Sequence, residues 1–120
     1  MKKIFSLVFI AIIILMLTGC GDSKYELIDT NRALEIINSG AVLIDVRTSE
    51  EFNREHITNA VNIPLDQLDT IGYDKDTKII VYCQTGVRSH EAVNKLVDMG
   101  YTNLYDLDGG LLNWGGSLEE

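Results

Sequence analysis

The sequence predicts an α/β fold in which a parallel sheet carries helices on both faces. Short apolar segments rich in β-branched residues alternate with segments of helical periodicity over residues 25–114, an order typical of a parallel sheet. The segment Val42-Leu43-Ile44 is a continuous apolar run, as expected for a strand that is covered on both faces. About 100 residues are available to this domain, enough for one modest core.

The first half of the domain is predicted to contain three strands, two helices and a helical turn. Asp29 or Thr30 caps the first helix, which ends before Gly40 and whose buried side comprises Ala33, Leu34, Ile36 and Ile37. Thr48 and Glu51 fit a capping box at the start of the second helix. In chain order the elements are a strand at 25–28, a helix to 38, strands at 42–44 and 60–63 on either side of a helix at 48–55, and a turn at 65–68.

The second half is predicted to contain the central strand and the longest helix. The central strand is Lys78–Tyr82. The helix spans 89–99, ends at Gly100 and has one apolar stripe, which consists of Ala92, Val93, Leu96 and Val97. A last strand at 103–107 and a short tail helix at 111–114 complete the domain.

The first 19 residues predict an export signal. Met1-Lys2-Lys3 is positive, and Ile4–Leu17 is an apolar run of 14 residues broken only by Ser6. A bilayer span needs about 20 residues, so this run is typical of a signal peptide. Leu17-Thr18-Gly19-Cys20 resembles the lipobox of bacterial lipoproteins, which implies a lipid on Cys20. We expect a signal peptide at 1–19, a lipidated cysteine and tether at 20–24, and a domain at 25–120 anchored outside the cytoplasm; an uncleaved anchor or a secreted protein is the alternative.

The charge balance excludes several partners. Removal of residues 1–19 takes away two lysines and no acidic residue, which leaves eight basic and 18 acidic residues and a net charge near −10. This balance argues against nucleic acid and against holding an anionic membrane by charge. The histidines and the free cysteine show no metal-ligand spacing, so we expect no metal and no other cofactor. A monomer is the default expectation.

Cys83 is the candidate nucleophile. It directly follows the central strand and precedes the loop Gln84-Thr85-Gly86-Val87-Arg88, after which a helix begins. A thiol at a helix N-terminus lies in a cup of backbone N–H groups, where a thiolate is stabilised. With Cys20 assigned to lipid, Cys83 is the one free thiol of an exported chain and a candidate reactive group. A buried, inert cysteine at a strand end is the alternative, and the glycine-containing loop favours the reactive one.

Asp45 and Arg47 follow the strand at 42–44. Ligands of parallel sheets bind beyond the carboxyl ends of the strands, so both side chains and Cys83 are expected at the same rim. A carboxylate beside a thiolate would raise the pKa of the thiol, and we therefore expect a structural role for Asp45. Arg47 either reaches the rim or is paired or solvated at the surface.

Several motifs, in this order and spacing, resemble a single-domain rhodanese. They are Leu43-Ile44-Asp45-Val46-Arg47, Glu51-Phe52, His56-Ile57, Ala60-Val61-Asn62-Ile63-Pro64, the loop Cys83–Arg88, and Leu107-Asp108-Gly109-Gly110 with Trp114. The resemblance covers residues 25–114. It implies a five-stranded, mostly parallel sheet flanked by helices, and sulfur transfer through a persulfide on the cysteine.

Two positions depart from the pattern of this family. Asn59 stands where the family often has glycine, and it can supply the same left-handed turn because asparagine tolerates positive φ. Gln84 stands where the family often has a basic residue, so Arg88 is the only cation of the loop. This predicts a site less suited to thiosulfate than to a polysulfide or a protein persulfide.

The resemblance also implies roles for the loop. The Cys83 thiolate attacks the sulfur donor, the backbone N–H groups from Gln84 to Arg88 hold the outer sulfur, and Gly86 lets the chain curve without a Cβ in the way. Arg88 steers the donor, lowers the pKa of the thiol, or braces the loop by pairing with Asp45. The sulfur then passes to an outside acceptor, which is a thiol, cyanide or a redox protein. His56 is expected to be structural and His90 exposed.

The expected function is therefore sulfur transfer, with two alternatives. One is a non-catalytic rhodanese-like module that binds a partner, and the presence of Cys83 argues against it. The other is a phosphatase or arsenate reductase of the Cys–Arg type. Tyrosine phosphatases and related cell-cycle phosphatases have five residues between cysteine and arginine, whereas four separate Cys83 from Arg88 here. The shorter loop makes a smaller cup, suited to one sulfur atom and not to a phosphate.

Overall fold

The structure is a computed structural model that describes residues 24–120. The predicted signal peptide at 1–19, the lipidation of Cys20 and most of the tether at 20–24 lie outside these residues and stay predictions. Among residues 24–120, no helix is both long enough and apolar enough to cross a membrane.

Five strands form one fully parallel sheet. The strands of the domain are β1 (Glu26–Ile28), β2 (Val42–Asp45), β3 (His56–Ile57), β4 (Val61–Asn62), β5 (Ile79–Tyr82), β6 (Leu104–Leu107) and β7 (Leu118–Glu119). The sheet order is β1-β6-β5-β2-β4, and every neighbouring pair in it is parallel. β5 lies in the middle, so the prediction of a central strand and of a five-stranded parallel sheet is confirmed.

Capping interactions set the starts of the helices. These are α1 (Thr30–Asn38), α2 (Ser49–Arg54) and α3 (Val87–Asp98), with 3₁₀ turns at Leu65–Thr70 and Gly110–Asn113. Asp29 caps α1, and Thr48 and Glu51 form the predicted capping box of α2. Helix α3 begins two residues before the predicted start, because Gly86 serves as its N-cap with φ +101°.

The two faces of the sheet bury two separate clusters. Ile79 and Val81 pack with α3 and Leu68 on one face. Ile80 and Tyr82 pack with α1 on the other face. This alternation along β5 follows from the two-residue period of a strand, and it confirms the prediction of helices on both faces.

Two local predictions are corrected by the structure. Leu34 was expected on the buried side of α1, but it is 40% exposed; it lies two positions before Ile36, which places it on the opposite side of the helix from that buried residue. The strand at 104–107 is not the last one, since β7 follows it and pairs antiparallel with β3. Asn59 does adopt φ +68°, as its position predicted.

Candidate active site

The candidate site lies at the carboxyl edge of the sheet. Asp45 at the end of β2 is in register with Tyr82 at the end of β5, and β6 pairs with the other side of β5. Parallel strands bring all their carboxyl ends to one edge. The segments that follow these strands, with Arg47, Cys83 and Gly110, therefore meet there, as the sequence predicted for the first two.

Cys83 lies beneath its loop, at the N-terminus of α3. Only 1% of the residue is exposed, and the Gly86 N–H donates to its Sγ at 3.1 Å. No side chain caps α3, and the N–H groups of a first helical turn point out of the helix end. The sulfur thus lies where backbone N–H donors converge, a position that stabilises the negative charge of a thiolate.

The segment after β6 holds the loop from its other side. The Leu111 N–H donates to the Cys83 carbonyl at 2.9 Å, and the Leu112 N–H donates to the Gln84 carbonyl at 3.2 Å. Gly110 makes this approach possible: it has φ +61°, and a Cβ on it would overlap the Cys83 carbonyl oxygen and lie 2.9 Å from the backbone of Gln84. A residue with a side chain cannot occupy this position without moving the loop.

Asp45 and Arg47 form a buried ion pair that supports the loop. Their side chains are 0% and 4% exposed, and Arg47 donates from Nη2 to Asp45 Oδ2 at 2.8 Å. Arg47 also donates to Gln84 Oε1 at 3.1 Å and to the Glu55 carbonyl at 2.7 Å. Burial alone would lower the pKa of Arg47, and the Asp45 carboxylate outweighs it, so the pKa is raised. Arg47 is therefore neither solvated nor a free cation of the rim.

Tyr82 connects this ion pair to β3. Its ring is fully buried, and its hydroxyl oxygen accepts from the Ile57 N–H at 3.1 Å. Burial and the hydrogen bond to Asp45 raise the pKa of Tyr82. The phenol therefore stays neutral and acts as a structural hydrogen-bonding group, in keeping with the structural role expected for Asp45.

Arg88 pairs with Glu51 instead of Asp45. The guanidinium donates to both carboxylate oxygens of Glu51, at 2.7 and 3.0 Å. Of the three roles left open for Arg88, bracing the loop through Asp45 was wrong in its partner, because Arg47 already occupies the Asp45 carboxylate. The bracing itself is present, and it connects the loop to α2.

The Glu51–Arg88 pair predicts a pH-dependent contribution to stability. The hydrogen bond from Arg88 lowers the pKa of Glu51 to about 2, against the opposing effect of burial. A carboxyl with a lowered pKa stabilises the fold above its unfolded pKa and loses this contribution as the pH falls towards the folded value. Arg88 is 37% exposed, so we expect about 1 kcal/mol after allowance for solvent screening.

Urea unfolding of Glu51→Gln and the wild type between pH 2 and pH 7 measures this contribution. Glutamine keeps the capping contact of the third helical position, so the variant removes mainly the ion pair. The wild type is expected to be the more stable protein above about pH 4.5, with a difference that shrinks towards pH 2. Glu50→Gln, on the same helix, serves as the control. A difference that does not change with pH would refute the assignment.

The side chains of the two histidines have partners other than the thiol. His56 is buried, stacks on Phe52 with ring centroids 3.7 Å apart, and places Nδ1 2.8 Å from the Phe52 carbonyl. Its Nε2 lies 3.2 Å from Glu119, so it fastens β7 to α2 in the expected structural role. His90 is 61% exposed, and its Nδ1 lies 3.0 Å from the Tyr25 hydroxyl.

A pocket opens at the surface beside Gln84. Its lining combines the ion-paired side chains with α2 and the segment after β6, and consists of Arg47, Glu51, Arg54, Glu55, Gln84 and Leu111. Arg47 is bound to Asp45 and Gln84, and Glu51 is bound to Arg88. Two of the four charged residues that line the pocket, Arg47 and Glu51, are therefore held in ion pairs within the protein.

Sequence reasoning missed two residues that shape the site. Glu51 was assigned to the capping box and to a family motif without a role in the site, and its contact with Arg88 depends on how α2 packs against the loop. Gly110 was noted only as part of a motif. Its position could have indicated a role, since a Gly-Gly pair that closely follows a parallel strand lies at the edge of the sheet where ligands bind.

The fold and the loop together define a class of protein. They describe an α/β domain with a cysteine at the end of its central parallel strand and an arginine at the start of the following helix. The chain belongs to the rhodanese-like family, since the model of the Rhodanese-like domain matches residues 29–117. The family and the fold implied by the sequence motifs are thereby confirmed.

Similar proteins include enzymes of sulfur transfer. The chain is 31% identical over 93 residues to the thiosulfate sulfurtransferase GlpE of Coxiella burnetii, which covers 75% of this chain and 87% of that protein. It is 34% identical over 107 residues to the adenylyltransferase and sulfurtransferase uba4 of Ogataea parapolymorpha, covering 83% of this chain but only 28% of that longer protein. The crystal structure of a rhodanese-related protein from Thermoplasma volcanium matches with a TM-score of 0.70 and 31% identity, over 79% of this chain and 98% of that one.

Proposed function

We propose that this chain is a sulfurtransferase that carries a sulfane sulfur as a persulfide on Cys83. The observation that carries the proposal is the placement of Cys83 Sγ, 3.1 Å from the Gly86 N–H at the N-terminus of α3, which no side chain caps. Donors at this position stabilise the thiolate before the reaction and the terminal sulfur of the persulfide after it. The sulfurtransferases among its relatives support the same chemistry.

The reaction has two displacement steps. The Cys83 thiolate attacks the sulfane sulfur of the donor, a new S–S bond forms, and the remainder of the donor leaves with the electron pair of the broken bond. An acceptor thiolate or cyanide then attacks the outer sulfur, and the Cys83 thiolate leaves with the electron pair. Residues 25–120 contain no second cysteine, and with Cys20 assigned to lipid the acceptor comes from outside the chain.

The paired arginines support a donor other than thiosulfate. Arg88 is bound through both carboxylate oxygens of Glu51, and Arg47 is bound to Asp45. A small dianion would have to displace one of these carboxylates in order to reach the guanidinium of Arg88 or Arg47. We therefore favour a polysulfide or a protein persulfide as the donor, since neither needs a free cation at the loop.

The same contacts argue against phosphoryl transfer. Four residues separate Cys83 from Arg88, and the guanidinium that would hold a phosphate is occupied by Glu51. A non-catalytic binding module would not need the donor from Gly86 to Cys83. Both alternatives are separated from sulfur transfer by the experiment below.

Mass spectrometry of the intact protein tests the proposal. The chain is incubated with thiosulfate or with a polysulfide, measured, treated with cyanide and measured again, with peptide mapping to distinguish Cys83 from Cys20. We expect the mass of one sulfur atom to be gained on Cys83 and removed by cyanide, with kcat/KM for the polysulfide at least about tenfold above that for thiosulfate, a difference of about 1.4 kcal/mol.

Three outcomes would change the assignment. Equal efficiency with the two donors would refute the proposed donor class. Turnover of an aryl phosphate, together with no sulfur adduct from any donor, would favour the phosphatase. No adduct and no turnover would leave the binding module.

A further inference from the structure

We propose that Asp106 is kept as a neutral carboxylic acid and, through Ser89, positions the loop that carries Cys83. The inference rests on Cys83 as the nucleophile of the proposed function. It assigns a task to a buried carboxyl group that the two displacement steps do not use.

Asp106 lies in a setting that disfavours a negative charge. It lies in β6, between β5 and β1 in the sheet, in register with Val81 of β5 and Leu27 of β1, and it is 2% exposed. Among residues 24–120, its Oδ1 is the one buried side-chain oxygen or nitrogen that has no hydrogen-bond partner. An ionised carboxylate with an unsatisfied buried oxygen is costly, whereas the neutral acid is far less so.

The groups around Asp106 supply little compensating positive charge. In the part of the chain that the structure describes, the one basic group within 4.0 Å of its carboxyl is His90 of α3, whose Nδ1 lies 4.0 Å from Oδ2, beyond hydrogen-bond distance, on a side chain that is 61% exposed. Asp108, on the same strand end, adds a repelling charge. Burial raises the pKa of Asp106, and only the Ser89 hydroxyl and His90 oppose this rise. The balance of these effects and the missing hydrogen-bond partner of Oδ1 therefore both favour the neutral form of Asp106.

Ser89 connects Asp106 to the loop. Its side chain is fully buried, and its Oγ donates to the Gly86 carbonyl at 3.2 Å. The same hydroxyl lowers the pKa of Asp106 through a hydrogen bond to the carboxyl group. A hydroxyl has only one proton to donate. If Asp106 is neutral, the acid donates to Ser89 Oγ and Ser89 donates to Gly86. If Asp106 is ionised, the serine proton turns to the carboxylate and the Gly86 carbonyl loses this donor.

Gly86 is the residue that contacts the nucleophile. Its N–H lies 3.1 Å from Cys83 Sγ, and it holds the left-handed φ of +101° at the start of α3. Its carbonyl accepts from the His90 N–H at 3.2 Å as well as from Ser89 Oγ, so Ser89 adds a second restraint on the orientation of this residue. Hydrogen bonds thus connect Ser89 through Gly86 to the sulfur, and we infer that Asp106 acts on this path through Ser89, which makes both of them positioning residues.

Infrared spectroscopy and thiol alkylation of the full chain test this inference. The difference spectrum between the wild type and Asp106→Asn at neutral pH is expected to contain the carbonyl band of a protonated carboxylic acid. The rate constant for Cys83 alkylation by iodoacetamide, followed by peptide mass, is expected to fall two- to tenfold in Asp106→Ala and in Ser89→Ala, which corresponds to about 0.4 to 1.4 kcal/mol. Asp106→Asn should restore the wild-type rate, because its amide donates to Ser89 as the neutral acid does.

The variants separate positioning from simple structural damage. Asp108→Asn, two residues further along, is the matched control and should change neither the spectrum nor the rate. Absence of the acid band at neutral pH overturns the inference even if Asp106→Ala does not fold, and so does an Asp106→Asn protein as slow as Ser89→Ala. Alkylation needs no sulfur donor, so a failure of the persulfide test does not affect the measured alkylation rate. Conversely, an alkylation rate that is unchanged in Asp106→Ala and Ser89→Ala overturns the inference about Asp106 and leaves the proposed function standing.

Discussion

Replacement of Cys83 by serine is expected to lower kcat/KM for sulfur transfer by at least about 10³-fold, as removal of a nucleophile does in covalent enzymes. A serine hydroxyl cannot form the persulfide, so neither displacement step can occur. The Gly86 N–H that donates to Sγ can donate to the serine oxygen instead. We therefore expect the stability to change by less than about 1.5 kcal/mol.

Steady-state assays with cyanide or a thiol acceptor measure this effect, and urea unfolding checks the stability. Cys20→Ser is the matched control, because it removes the other cysteine of the chain and should retain wild-type activity. Sulfur transfer that persisted in Cys83→Ser would show that another group carries the sulfur. A large loss of stability in that variant would make its activity uninformative, and the peptide-mapped persulfide would then decide the role of Cys83.

The sheet could be predicted from the sequence because its strands have a strong local signal. β2 and β5 are apolar runs that follow polar or glycine-containing segments, and such runs between helices indicate a covered parallel strand. β3 and β7 have no such signal. Each is two residues long, which is too short for a period to be visible, and their pairing depends on the return of the chain end to α2.

Helix boundaries were predictable where a side chain forms the cap. Thr48 and Glu51 form a capping-box pattern that predicts the start of α2 from the sequence. The start of α3 at Val87 has no comparable signal, because its cap is Gly86 in a left-handed conformation without a side-chain hydrogen bond. The sequence alone therefore placed the start of α3 two residues too late. The two missed residues, Val87 and Arg88, belong to the loop of the candidate site.

The identity of the site residues was predictable, whereas their pairing was not. Cys83 and Arg88 are marked by their spacing, and Asp45 and Arg47 by their place after a strand. Which carboxylate meets which guanidinium is decided by three-dimensional packing: Arg47 folds back on Asp45, and α2 brings Glu51 to Arg88. The burial of Asp106 in β6 could likewise not be predicted, because the sequence shows only an acidic residue within a short strand.

Replacement of Gly110 by alanine is expected to reduce both stability and Cys83 reactivity. The residue holds φ +61°, where a Cβ costs about 1 to 2 kcal/mol. That Cβ would also overlap the Cys83 carbonyl oxygen, so the two hydrogen bonds that Leu111 and Leu112 donate to the loop must lengthen, each worth about 1 kcal/mol. We expect a total loss of about 2 to 4 kcal/mol in the free energy of unfolding.

Gly40→Ala separates the two causes of this loss. Gly40 also has a positive φ, of +100°, but a Cβ on it would meet nothing within 4 Å. It should therefore lose only the conformational part, about 1 to 2 kcal/mol, and keep full sulfur transfer. In Gly110→Ala the displaced loop moves the Gly86 N–H away from Sγ, and the rate of persulfide formation is expected to fall by about tenfold or more. If the two variants match in unfolding free energy and in persulfide formation, the close approach at Gly110 does not position the loop.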